Sequence, residues 1–198
     1  MSPTIKSPLY LDWCSQEAST YAVENWHYSR HMPSGKIIRI GVWEFGKFVG
    51  TVIFGQGANP QIGKPFSLEM SQICELVRVA MKKHQSPVTK VVAIALRMLN
   101  KKCPGIELVI SYADEQIHGH IGRIYQAGNW IYMGKSTPIA PMFLNGVIRH
   151  NRTVSSRVKT TSGIARGKVR QKHKYLMPLN DDMRKKVEKL RKEYPKSV

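Results

Sequence analysis

The chain has 198 residues, 42% of them apolar, enough for one compact domain with a real core and an appendage. Its 31 Lys and Arg stand against 13 Asp and Glu, a formal charge of +18, which points to a polyanionic partner, DNA or RNA. No apolar run approaches the roughly 20 residues of a spanning helix, so a membrane is set aside as partner.

The opening residues hold no basic segment followed by an uninterrupted apolar run, so no signal peptide is expected and a cytoplasmic location fits. Cys14, Cys74 and Cys103 are odd in number and widely spaced, forming neither a metal pair nor a disulfide framework. Residues 1–14, with Pro3 and Pro8, read as a loose lead-in. Ser15 is placed to N-cap a helix in which Ala18, Tyr21, Ala22 and Trp26 recur at helical spacing. The segment Trp26-His27-Tyr28-Ser29-Arg30-His31 at its end is dense in rings and donors, and Pro33-Ser34-Gly35 closes the region.

The runs KIIRIGVWE (36–44) and KFVGTVIFG (47–55) flank Phe45-Gly46, a hairpin signal. Residues 56–70 read as a long loop with one helical turn. Ile73–Met81 reads as a strand whose only charges are Glu75 and Arg78, and an ideal strand period sends these two to opposite faces. Ser86-Pro87 opens a helix with a stripe of Val88, Val91, Val92, Ala95, Met98 and Leu99. Leu108–Ile110 is an apolar run that stops at Ser111, Tyr112 and Asp114. A loop with His118, Gly119 and His120 follows. Arg123–Ala127 is a short helix that Gly128 can close, and 129–133 is a strand led by Trp130 and Tyr132.

This order implies an α/β (α+β) fold, a mixed sheet flanked by helices, with right-handed crossovers over 73–112 and 106–134. Residues 1–148 form the catalytic domain in this reading, and 149–198 a basic extension packed on it. No acid interrupts the run from Arg149 to Lys174, where Arg152, Arg157, Lys159, Arg166, Lys168, Arg170 and Lys172 are expected to track phosphates of a duplex. Tyr175–Leu179 fits a last strand. A last helix starts at Asp181 and Asp182, with Met183, Val187 and Leu190 on one face.

Several stretches, taken in order, resemble one family. They are GVWEFGKFVGTVIFGQGAN, CELVRVAMKKHQSPVTKVVAIALRML, VISYAD, HIGRIYQAGNWIYMG and KHKYLMPLNDDMRKKV, from about residue 24 to the end. The arrangement is similar to the GNAT N-acyltransferase fold, and more narrowly to the Mom family of bacteriophage DNA-modification proteins. The resemblance implies an enzyme that adds a carbamoylmethyl (acetamido) type group at N6 of adenine in phage double-stranded DNA, blocking host restriction. An N-acyltransferase of a protein or small amine, and a non-catalytic DNA- or RNA-binding protein, are the alternatives. The usual GNAT turn, Q/R-x-x-G-x-G/A, is replaced by Lys82-Lys83-His84-Gln85-Ser86-Pro87-Val88-Thr89, without glycine. Lys82, Lys83 and Ser86 at the helix start are the candidates for holding an anionic small-molecule donor, acyl-CoA-like or another activated group.

The N6 amine is a poor nucleophile inside a duplex, so the base must be extruded, stacked and deprotonated. Trp26, Tyr28, Trp130 and Tyr132 are the stacking candidates. His27 is a candidate base because imidazole titrates near neutrality, and Glu75 is a second if it is buried facing the site. Ser111 and Asp114 end their strand where they can orient a donor or accept a proton. Tyr125 falls where the resemblance places a tyrosine that protonates a leaving group. His118 and His120 with Asp114 could share a metal, although their spacing matches no strong zinc motif.

Overall fold

The computed structural model describes residues 8–57, 59–115, 119–140, 142–144, 147–149 and 164–196. In Leu9-Tyr10-Leu11-Asp12-Trp13 alternate side chains are apolar, and the run is a strand, β1 (Leu9–Trp13), with Leu9 and Leu11 buried. The expected lead-in is therefore a sheet edge from Leu9 onward. Helix α1 (Gln16–Trp26) follows, its first turn capped by the Ser15 hydroxyl accepting from the Ala18 N–H at 3.2 Å.

Strands β2 (Ile37–Glu44) and β3 (Lys47–Gly55) form the expected hairpin. Phe45 and Gly46 both have positive φ, 50° and 78°, the backbone whose twist matches the flanking strands. In the loop that follows, a 3-10 turn (Lys64–Phe66) buries Phe66. Then come β4 (Ile73–Met81), α2 (Val88–Lys102), β5 (Leu108–Ala113), α3 (Arg123–Ala127) and β6 (Ile131–Lys135). A short hairpin of β7 (Met142–Leu144) and β8 (Val147–Arg149) precedes β9 (His173–Pro178) and α4 (Asp181–Glu188). Asn180 caps α4 by accepting from the Met183 N–H at 2.7 Å; the helix ends at Glu188, leaving Leu190 exposed.

Seven strands form one mixed sheet in the order β1-β2-β3-β4-β5-β9-β6. Among the described strands only β4 and β5 pair in parallel as direct neighbours. The last strand, β9, lies antiparallel between β5 and β6, so residues from the C-terminal quarter of the chain sit inside the sheet. Helix α2 packs Val91, Val92, Ala95 and Leu99 against one face, with Leu76, Val109 and Trp130. On the other side α1 sets Ala22 and Val23 against Ile53 and Ala80, and α4 sets Met183 and Val187 against Ile110 and Leu176.

One irregularity positions the site. Along β3, Ile53 pairs with Arg78 and the next residue, Phe54, with Leu76, so Val77 has no opposite number. The bulge absorbs one residue of the alternation. Glu75 and Arg78, three apart and expected on opposite faces, therefore line the same cleft.

Candidate active site

Parallel pairing of β4 with β5 covers only Ile73 to Glu75 against Leu108 to Ile110, although both strands run further. Where it stops, a cleft of about 140 Å³ opens, lined by the β4 bulge, Tyr112, His120, Tyr125, Lys172 and the pair His27-Tyr28. The Ser111 hydroxyl sits at the point of divergence, 2.9 Å from the Leu76 carbonyl oxygen and 2.7 Å from the Tyr125 hydroxyl. Ser111 has a single proton. When it goes to the carbonyl, which can only accept, the Tyr125 hydroxyl donates to Ser111.

Burial pushes the Glu75 carboxyl up to about 7, against the opposing pull of Lys172 and Arg78. It is a carboxyl that titrates at working pH. Burial also raises Tyr112 to about 12, with the Glu75 charge adding to the effect. Tyr125 is 6% exposed, and burial lifts it well above the ordinary phenol range against the Ser111 hydrogen bond, so it stays a neutral phenol. Tyr28 is 57% exposed at the mouth and is raised chiefly by burial of its hydroxyl end, with Arg78 opposing and Asp114 reinforcing.

The mouth is held by main-chain contacts. Arg78 donates from Nε and Nη2 to the His31 carbonyl, both at 3.2 Å, and from Nη1 to the Val77 carbonyl at 2.7 Å. This clamps the segment after α1 onto β4. His27 is buried, and its Nδ1 accepts from the Ser29 N–H at 3.1 Å with the Ser29 hydroxyl at 2.8 Å. That bond puts the proton of the neutral ring on Nε2. Asp114 is 5% exposed with Lys172 Nζ at 3.6 Å. His120 Nδ1 accepts from the Gly122 N–H at 3.3 Å, its ring beside that of Tyr125.

A model of the Mom protein family matches residues 8–196. The chain belongs to the Mom protein family. Within it, the methylcarbamoylase Mom of Escherichia phage Mu is 28% identical over 116 residues, 57% of this chain; the match spans about half, 48%, of the curated relative's length. Among solved structures, a putative acetyltransferase from Salmonella typhimurium, solved with its cofactor acetyl-CoA, is similar with a TM-score of 0.52 and 10% identity, covering 88% of this chain and 96% of its own. An aminoglycoside 6'-N-acetyltransferase from Enterococcus faecium gives 0.52 and 10%, over 87% and 98%. The Mom family member therefore has the GNAT acetyltransferase fold.

Several expected site residues meet at the cleft. His27, Tyr28, Glu75 and Tyr125 line it, and Ser111 is bonded to Tyr125 at its root. Others lie elsewhere. Trp130 is 1% exposed and packs its ring 5.0 Å from Tyr125 in the core, so neither face is open to a base. Tyr132 is buried with its hydroxyl 2.8 Å from His173 Nδ1. Trp26 packs among Tyr21 and Phe48 under the Lys82 ammonium, outside the cleft lining. Of the four expected stacking residues, Tyr28 is the one that lines the cleft.

Of the tail cations, Arg166 and Lys168 are exposed and Arg170 is half-buried beside Ile139; Arg152, Arg157 and Lys159 lie outside the described residues. Lys172, also exposed, lines the cleft. His118 also lies outside the described residues, and among those described no group of three His, Cys, Asp or Glu is arranged to hold a metal. Two polar residues of the cleft, Arg78 and Tyr112, are not among the site residues expected from the sequence. Arg78 needed the bulge, which no local signal announces, whereas Tyr112 stands in the polar end of β5 and was within reach.

Coenzyme A fits the turn between β4 and α2 poorly. The Gln85 and Ser86 N–H groups are already taken by the Glu44 carboxylate, at 2.8 and 2.6 Å, and Pro87 has none to give. Lys82 is drawn toward Trp26, 5.3 Å from its ring centroid.

Proposed function

We propose that the protein is a DNA-modifying transferase that places a carbamoylmethyl (acetamido) type group on N6 of adenine in double-stranded phage DNA, shielding it from host restriction. Family membership supports the reaction class. The observation that carries the reading is a half-buried carboxyl, Glu75, pushed up to about 7 by desolvation in a cleft shared with Tyr28 and Tyr125.

An extruded adenine stacked on Tyr28 recovers about 1–3 kcal/mol of the few kcal/mol spent on unstacking. Its N6 would face β4. An aromatic amine is too weak an acid to lose a proton first, so the bond from N6 to the donor carbon forms as the bond to the leaving group breaks. The surplus N6 proton passes to the Glu75 carboxylate. Tyr125, kept neutral by burial, turns its proton from Ser111 to the leaving group, and the Ser111 hydroxyl swings its own proton from the Leu76 carbonyl to the phenolate that forms. Arg78 and Lys172 keep part of the Glu75 population ionised at neutral pH.

The test is direct. The protein is expressed in a bacterium, the DNA is digested to nucleosides, and a new deoxyadenosine species is sought by mass spectrometry. A modified deoxyadenosine at the mass of a carbamoylmethyl addition is expected. Unmodified DNA from cells whose protein still binds DNA in vitro would leave a binding module with this fold.

A further inference from the structure

The turn between β4 and α2 carries an internal anion. Glu44, the last residue of β2, reaches across from the hairpin, and its two carboxylate oxygens accept from the N–H groups of Gln85 and Ser86 at 2.8 and 2.6 Å. The residue is 5% exposed. Burial alone would raise its pKa, but the hydrogen bonds from Ser86 and Gln85 and the nearby His84 hold it below the usual carboxylate range. It is an anion at neutral pH.

Successive main-chain N–H groups aimed at one anion ahead of a helix are how proteins seat phosphates. Here the chain's own carboxylate fills the seat in a bidentate manner. Pro87, next in line, adds no donor. An incoming phosphate has two routes, both unfavourable. It can displace Glu44, stranding a buried carboxylate without its partners, or it can sit beside Glu44 against like charge.

We propose that Glu44 is the resident occupant of this anion seat and a specificity determinant: it turns away donors that anchor through a pyrophosphate, coenzyme A thioesters among them, and selects a donor without that arm. The inference rests on the transfer reading only in treating this turn as the donor side of the cleft. Its test contains no DNA, so its failure leaves the reading of the cleft intact.

Full-length protein, Glu44→Ala and Glu44→Gln are titrated calorimetrically with acetyl-CoA, coenzyme A and inorganic pyrophosphate. The unsubstituted protein is expected to show no saturable binding up to millimolar ligand. Glu44→Ala, with two N–H groups released, is expected to bind at least tenfold more tightly, with Glu44→Gln between the two. A purely structural tie between hairpin and helix would predict lost stability and no gained affinity. Glu44→Gln keeps the shape and one acceptor for the turn, and it carries the test if the alanine variant unfolds. Micromolar binding of acetyl-CoA to the unsubstituted protein, with hydrogen-exchange protection over 82–90, overturns the proposal; so does a folded variant that gains nothing.

Discussion

Glu75 is where burial and chemistry pull in opposite directions. A carboxylate on a bulged strand among Tyr112, Tyr28 and Tyr125 costs desolvation, which Arg78 and Lys172 offset only in part, and its pKa rises to about 7. Two consequences follow from that single value. If the ionised form accepts the N6 proton, the initial rate of modification climbs as pH rises through about 7. Glu75→Gln should lower the rate at least ~100-fold above that pH and abolish its climb with pH, read by nucleoside mass spectrometry. Stability moves the other way. The folded pKa lies above the unfolded one, so the protonation-linked stability is full below the unfolded value, near about 4.3, and is lost as pH passes through about 7. Glu75→Gln never has a charge to bury. At pH 8 it should melt above the unsubstituted protein by on the order of 1–3 kcal/mol, and at pH 4 the two should coincide. A variant that is inactive and also less stable at pH 8 would mean that Glu75 is a structural ion-pair member. Tyr125→Phe keeps the ring against Trp130 and Tyr175 and leaves Ser111 its Leu76 carbonyl. It should cost only about 0.5–1.5 kcal/mol in thermal unfolding while cutting product yield tenfold or more.

At the scale of elements, the site is aimed by places where regular structure is broken. Gly122 opens α3 with φ of 84°, and a Cβ there would press into the Tyr175 ring, whose hydroxyl is bonded to the Ile121 carbonyl. Gly122→Ala therefore combines left-handed strain of about 1–2 kcal/mol with a forced shift of Tyr175 or of α3. Because α3 carries Tyr125, the expected outcome is a lower melting temperature together with reduced modification by the protein that remains folded. Normal modification at normal stability would detach α3 from the chemistry. These broken places also mark the limit of what the sequence reveals. Helices α1 and α2, the β2–β3 hairpin and strands β4 and β5 announce themselves through periodicity and turn chemistry, because their side chains face one environment per face. The Val77 bulge does not, since it depends on how β3 and β4 share a register, and it alone puts Arg78 beside Glu75. Strand β1 hides because its alternation spans five residues next to Pro8. Trp130 and Tyr132 fit either core or a stacking surface from local pattern; Tyr132 is fixed in the sheet by pairing with Tyr175 of β9, which inserts from the far end of the chain, and Trp130 is buried against Tyr125. Glu44 reads as the end of a hairpin strand, and only the fold brings it to Gln85 and Ser86.

For the molecule as a whole, charge sets the terms of any encounter with DNA. A net +18 draws polyanions from a distance, and each phosphate neutralised releases about 0.9 of a counterion from B-form DNA, so affinity for duplex should fall steeply with salt. The described cations of the tail sit in two places. Arg166 and Lys168 are exposed away from the cleft lining, and Lys172, also exposed, lines the cleft with Asp114 3.6 Å away. If the first two rest on phosphates, Arg166→Ala with Lys168→Ala should lower the slope of log K against log[salt] by about two in magnitude, with weaker binding on every sequence alike. Lys172→Ala should behave otherwise. It removes a positive charge that helps keep Glu75 ionised, so the rise of rate with pH should shift upward from about 7 while the salt slope changes by less than one contact's worth. Fluorescence anisotropy on a labelled duplex at several salt concentrations measures the first effect, and a pH series of modification yields measures the second. A loss of about one unit of slope from Lys172→Ala, with no shift in its pH profile, would place Lys172 on the backbone with the rest of the tail and take it out of the cleft's chemistry.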